Sequence, residues 1–130
     1  MSLRIGVLGG GQLGRMMALA GYPLNLSFAF FDKAVDCPSA ALGPRFGDDD
    51  YSDASLQAFI DSADVFTYEF ENIPTRWVEA IAARKPVYPG VKSLAVSQNR
   101  LNEKQLFAAL NIPSARFHEI RSEADLSAAV

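Results

Sequence analysis

Short apolar runs alternate with stretches of helical spacing along most of this chain. Leu3–Leu8, Leu26–Phe31 and Ala63–Tyr68 are compact hydrophobic runs, and runs of this length and composition predict buried strands. Between the first two, Gln12–Ala20 is expected to form a helix that stops at Gly21-Tyr22-Pro23, since Gly at a helix end with Pro just beyond is stop chemistry. Between the second and third, Leu56, Phe59 and Ile60 share one face of a helix over Ala54–Asp61. Ser52 or Asp53 is the expected cap. After the third run, Thr75 is expected to cap a helix over Arg76–Ala83 that buries Trp77, Val78 and Ile81. Pro86–Pro89 predicts a fourth, short strand. Asp36–Asp50 has no period and reads as loop, with room for a short helix near Ala40.

This strand–helix alternation predicts an α/β fold, a Rossmann-like parallel sheet with right-handed crossovers. Ligands on such sheets bind beyond the carboxyl ends of the strands. The glycines after the first strand, Asp32 after the second and Glu69–Asn72 after the third all fall at that edge.

A second unit is expected from Asn99. Arg100–Leu110 reads as a helix burying Leu101, Phe107 and Leu110, and Ala115–Ile120 as a strand containing His118. Ser122-Glu123-Ala124-Asp125 is a capping sequence that opens a last helix. A helix as short as that one needs a tertiary partner, so the sequence is expected to be a piece of a longer protein. The predicted division is 1–98 and 99–130.

Composition narrows the class. The chain has 130 residues, 49% of them hydrophobic, a net charge of −3 and one cysteine, Cys37. This suffices for a core and argues against nucleic acid as a partner. No apolar run reaches the ~20 residues of a membrane span. One cysteine and no signal peptide lead to an expected cytoplasmic location. No metal site is expected: Asp48-Asp49-Asp50 lacks the alternation of a calcium loop, and His118 has no second ligand at suitable spacing.

Gly9, Gly11 and Gly14 fit G-x-G-x-x-G between a strand and a helix. That turn offers backbone N–H groups at a helix N-terminus, where an anion can sit, and a phosphate-bearing ligand is the expectation. If the ligand were a dinucleotide, Asp32 would hold its ribose hydroxyls. Against that reading, Glu69 and Glu71 at the same edge would repel a pyrophosphate. Alternation along an extended segment points the two glutamates in opposite directions. Glu71 is the one expected to face a ligand, and Glu69 is expected to be a structural hydrogen-bond partner. The glutamates suit a ligand with amines and hydroxyls beside a single phosphate, and an NAD(P)-binding domain of an oxidoreductase and a non-catalytic nucleotide-binding module stand as alternatives.

Gly9-Gly10-Gly11-Gln12-Leu13-Gly14-Arg15-Met16, the run Asp64–Ile73 with Thr67-Tyr68-Glu69-Phe70-Glu71, Gln98–Lys104, and Asn111-Ile112-Pro113 occur in that order. Together they resemble the N-terminal third of the N5-carboxyaminoimidazole ribonucleotide synthetase family, ATP-grasp ligases of purine biosynthesis. The resemblance implies a Rossmann-like preATP-grasp domain followed by the start of an ATP-grasp lid. It implies ATP and Mg²⁺ as cofactors, and 5-aminoimidazole ribonucleotide and bicarbonate as substrates. In that chemistry ATP phosphorylates bicarbonate, and carboxyphosphate or the CO₂ released from it meets the exocyclic amine. A homodimer is implied for the full-length protein. By position, Gly10, Gly11, Gln12 and Leu13 would line the ribonucleotide site and Glu71 and Asn72 would accept from it. Arg100 would touch an ATP phosphate. The remaining ATP, Mg²⁺ and phosphate ligands would lie beyond Val130, so the chain alone is expected to have no ligase activity.

Overall fold

The computed structural model describes residues 2–129. In chain order the elements are β1 (Arg4–Leu8), α1 (Gln12–Gly21), β2 (Ser27–Phe31), β3 (Arg45–Phe46), α2 (Asp53–Ser62), β4 (Val65–Tyr68), α3 (Thr75–Ala82), α4 (Val91–Ser97), α5 (Arg100–Ala109) and α6 (Glu123–Ala129). Two compact units are present, Met1–Leu94 and Ala95–Val130.

In the first unit the strands form one parallel sheet in the order β3-β2-β1-β4. Val7 of β1 pairs with Phe30 on one side and Thr67 on the other. Beyond β4, the expected fourth strand at Pro86–Pro89 is reduced to a single parallel bridge between Phe66 and Val87. The amides of Phe66 and Tyr88 donate to Pro86 O and Phe66 O, both at 2.9 Å. Prolines at either end leave no amide to carry the ladder further.

Period-two alternation divides β2 between two cores. Phe28 and Phe30 pack with Val7 and Ala18 on the α1 face. Ala29 and Phe31 join Leu8, Phe59, Phe66, Trp77 and Ile81 on the opposite face, beneath α2 and α3. A strand covered on both sides reads as a continuous apolar run, as Phe28–Phe31 does. On the larger side the core is largely aromatic. The Phe31 ring lies 5.3 Å from Phe59 and 5.2 Å from Trp77, the latter edge-to-face.

Several local expectations are corrected. Pro74, not Thr75, is the cap of α3, without a side-chain bond. Met16 is 62% exposed on α1, because it lies on the side of the helix away from the buried Gly14, Ala18 and Gly21. β3 and α4 had no counterpart in the sequence reading. The cap of α2 is Ser52, whose hydroxyl accepts from Ser55 N at 3.2 Å.

In the second unit, Asn99 Oδ1 caps α5 by accepting from Leu101 N and Asn102 N at 2.9 and 3.2 Å. Ser122 Oγ accepts from Asp125 N at the start of α6, at 3.2 Å. The strand expected at Ala115–Ile120 is absent, and His118 lies in an exposed irregular segment. An extended segment needs a neighbouring edge to pair with, and none of the described residues of this unit is in a strand. The expected burial on α5 also fails: Leu101 and Phe107 are half-buried and Leu110 is exposed.

Candidate functional site

The carboxyl ends of β1, β2 and β4 bring three loops together. The chain crosses one face of the sheet by α1 and the other by α2, so the strand order reverses between β1 and β4. A crevice opens at such a reversal. The loop after β1 carries the glycines, the loop after β2 begins at Asp32, and the loop after β4 carries Glu69–Asn72.

The glycine turn is built around protein carboxylates. Glu69 Oε1 accepts from Gly11 N at 3.0 Å and Oε2 from Gly14 N at 2.6 Å. Asp32 Oδ2 accepts from Gly10 N at 2.9 Å, and its Oδ1 accepts from Ala34 N at 2.9 Å. Glu69 is thus the structural hydrogen-bond partner expected of it. Gly10 and Gly11, expected to offer amides to a ligand, have given them to Asp32 and Glu69. The physical reason is that a carboxylate of the same chain satisfies a helix N-terminus as a bound anion would.

The glycines answer to the same packing. Gly9 has φ +104°, in the left-handed region that other residues rarely enter. A Cβ there would lie 2.6 Å from Glu69 Cγ, and one on Gly11 would lie 2.6 Å from Glu69 Oε1. At Gly9 and Gly11 the close approach that excludes a side chain is therefore that of Glu69, while at Gly10 it is that of Cys37.

Two amides of the turn remain. Gln12 N and Leu13 N, in the first turn of α1, have no partner among the described residues. Both residues are exposed, as are Glu71 and Asn72 at the same edge. Glu71 O accepts from Ile73 N at 2.9 Å, which folds the loop back after β4.

Beside the turn lies a cleft of about 290 Å³ whose wall includes Gly9, Asp32, Lys33, Tyr51, Asn72 and Trp77. Asn72 is the only one of the six expected binding residues of the first unit on that wall. Lys33 is the one basic residue among those lining the cleft. Tyr51 and Trp77, with ring centroids 4.9 Å apart, supply an aromatic floor. Burial pushes the Tyr51 hydroxyl above the ordinary phenol range, against a bond from Lys33 N. Arg45 holds the β2 loop in place by donating to Asp32 O and Gly47 O, both at 2.7 Å. Trp77 was legible as a core residue; Lys33 is signalled only by its place after a strand end; Tyr51 has no local signal.

Arg100 lies in the second unit, where its guanidinium pairs with Glu103. With Lys104, Phe117 and His118 it lines a small cleft of about 160 Å³. Among the described residues no three His, Cys, Asp or Glu side chains gather as a metal site. The Asp48 carboxylate is used locally, accepting from Ser52 N at 2.7 Å.

A family model described as the ribonucleotide synthetase preATP-grasp domain matches residues 2–98. The chain belongs to this family. Outside the family model, the chain is 44% identical over 127 residues to an N5-carboxyaminoimidazole ribonucleotide synthase of Pseudomonas aeruginosa, covering 98% of this chain and 35% of that protein. The crystal structure of the synthetase from Thermus thermophilus is 42% identical with a TM-score of 0.86, over 96% of this chain and 35% of that one. The synthase of Aspergillus clavatus, in complex with ADP and 5-aminoimidazole ribonucleotide, is 27% identical with a TM-score of 0.84, over 98% and 35%. This preATP-grasp chain therefore spans about a third of the length of the relatives it matches.

The parallel sheet and its glycine turn lie within the residues that the family model matches, and a dinucleotide site finds its ribose partner already engaged. The aspartate such a site would use on ribose is already bonded by both oxygens to backbone amides. No helix of the described residues is long and apolar enough to cross a membrane.

Proposed function

We propose that the edge formed by α1, Glu71 and Asn72 binds a phosphorylated aminoimidazole ribonucleotide. On this reading the chain is part of an ATP-dependent ligase that carboxylates the exocyclic amine of 5-aminoimidazole ribonucleotide with bicarbonate. The observation that carries it is the pair of unpartnered amides, Gln12 N and Leu13 N, at the same sheet edge as the exposed Glu71 and Asn72. Amides at a helix start suit phosphate or ribose oxygens. The acceptors of Glu71 and Asn72 suit hydroxyls and an amine. The Gly10 and Gly11 amides take no part and serve to shape the turn. The complex of the Aspergillus clavatus relative with ADP and 5-aminoimidazole ribonucleotide supports the substrate.

The reading assigns residues 1–98 to the preATP-grasp domain and 99–130 to the opening of the ATP-grasp domain. Arg100, paired with Glu103, and Lys104 line one small cleft together with Glu119; on this reading a nucleotide phosphate takes the place of the carboxylates on the two basic groups. ATP supplies the phosphoryl group that activates bicarbonate. Mg²⁺ belongs to this reading as a cofactor of the ligase; among the described residues no cluster of ligating side chains gathers. A homodimeric, cytoplasmic enzyme follows from the same reading, and the chain alone is inactive as a ligase.

Calorimetric titration with 5-aminoimidazole ribonucleotide tests the site, with NAD⁺ run in parallel. Binding of the ribonucleotide that Glu71→Ala weakens at least about tenfold, equivalent to about 1.4 kcal/mol, is the expected result. Binding of NAD⁺ in its place overturns it.

A further inference from the structure

The glycine turn has the outline of a dinucleotide fingerprint, and its anion position is filled from within the chain. We propose that Glu69 is a specificity-determining residue that excludes pyrophosphate from the turn by occupying its place. Three observations carry this. The two Glu69 oxygens reach two different amides, Gly11 and Gly14, across the first turn of α1. This is the bidentate arrangement a phosphate would adopt there. The Glu69 backbone is fixed at the end of β4, its amide donating to Leu8 O at 3.2 Å, so the side chain enters the turn from a rigid strand. And the turn's own glycines leave no second space, since Gly9 and Gly11 are already at their closest approach to that carboxylate.

The consequence is a division of the turn. Gly11 and Gly14 are closed to any ligand, and an anion that approaches meets both the fixed negative charge of Glu69 and missing donors. The amides of Gln12 and Leu13, one step round the helix start, stay open. A ligand with a single phosphate or a ribose can use those two; a pyrophosphate that needs the whole turn cannot. This selectivity is separate from the identity of the ribonucleotide and survives if that substrate is wrong.

The test is a titration of the ¹⁵N-labelled chain with inorganic pyrophosphate, read at the amide resonances of Gly11 and Gly14. In the wild type these two resonances stay in place. In Glu69→Ala they shift saturably, and pyrophosphate raises the variant's melting temperature in proportion to the logarithm of its concentration. Saturable shifts of Gly11 and Gly14 in the wild type overturn the proposal, as does a folded Glu69→Ala that ignores pyrophosphate. If Glu69→Ala does not fold, Glu69→Gln decides, because a carboxamide accepts through one oxygen only. One of the two amides then exchanges with solvent at least about tenfold faster than in the wild type. Unchanged protection of both overturns the proposal.

Discussion

Asp32 Oδ2 accepts a hydrogen bond from Gly10 N at 2.9 Å, tying the end of β2 to the turn that follows β1. The residue that a dinucleotide enzyme would spend on ribose is here a brace between two loops of one site. Both of its oxygens are in use, the second on Ala34 N.

Asp32→Ala is therefore expected to act on stability. It leaves the buried Gly10 amide without its acceptor, at a cost of about 1–3 kcal/mol. Asp32→Asn recovers part of this through its remaining carbonyl oxygen. Denaturant unfolding of the two variants checks the order, and an Asp32→Ala chain as stable as the wild type contradicts it.

Phe59 is fully buried, with ring centroids 5.3 Å from Phe31 and 5.1 Å from Phe66. Phe59→Ala is expected to cost about 3–5 kcal/mol, the range for losing a buried aromatic ring. Leu110→Ala, at an exposed position of the second unit, is expected to change stability by less than about 0.5 kcal/mol. Comparison of the two unfolding midpoints measures how far the core of the first unit dominates.

Bonds from the Ser52 side chain and amide hold the Asp48 carboxyl below the usual aspartate range. Its contribution is present above the unfolded value and is lost as the pH falls through the lower, folded one. Asp48→Asn is expected to lower the melting temperature at neutral pH. The gap from wild type should close as the solution is acidified below about pH 4. A gap that stays constant with pH shows that the charge is not what matters.

At the alkaline end the sign reverses. Burial raises the Tyr51 hydroxyl, so the neutral phenol is the form the fold prefers. That preference contributes fully below the ordinary phenol value of about 10 and is lost as the pH rises through the folded value. Tyr51→Phe removes the titrating group and should flatten the fall in stability above about pH 10. Burial likewise raises Tyr68, so some decline persists in the variant.

Much of this was legible because local signals and tertiary demands agreed. Phe28–Phe31 is a continuous apolar run and is covered on both faces; Leu56, Phe59 and Ile60 recur at helical spacing and are all buried. The site was legible in place and less so in role. The strand-end rule put Asp32, the glycines and Glu69–Asn72 together, but nothing in G-x-G-x-x-G says whose anion fills the turn. That depends on Glu69 pointing inward, which alternation suggested and only the fold decides. Tyr51 was out of reach because its φ of +50° and its tilted ring contact with Trp77 come from a loop with no period. The missing strand at Ala115–Ile120 shows the converse: an extended pattern without an edge to join stays irregular.

No described residue from 95 to 129 is buried. Two capped helices stand there without an apolar interior, and capping alone leaves helices this short marginal. Unfolding them exposes little new apolar surface, and it is newly exposed surface that sets both the denaturant slope and the heat-capacity increment of a transition. A denaturation curve should therefore weigh this chain as if it ended near Leu94. Its slope and heat-capacity increment should fall below those of an ordinary domain of the same length by roughly the share that the second unit occupies.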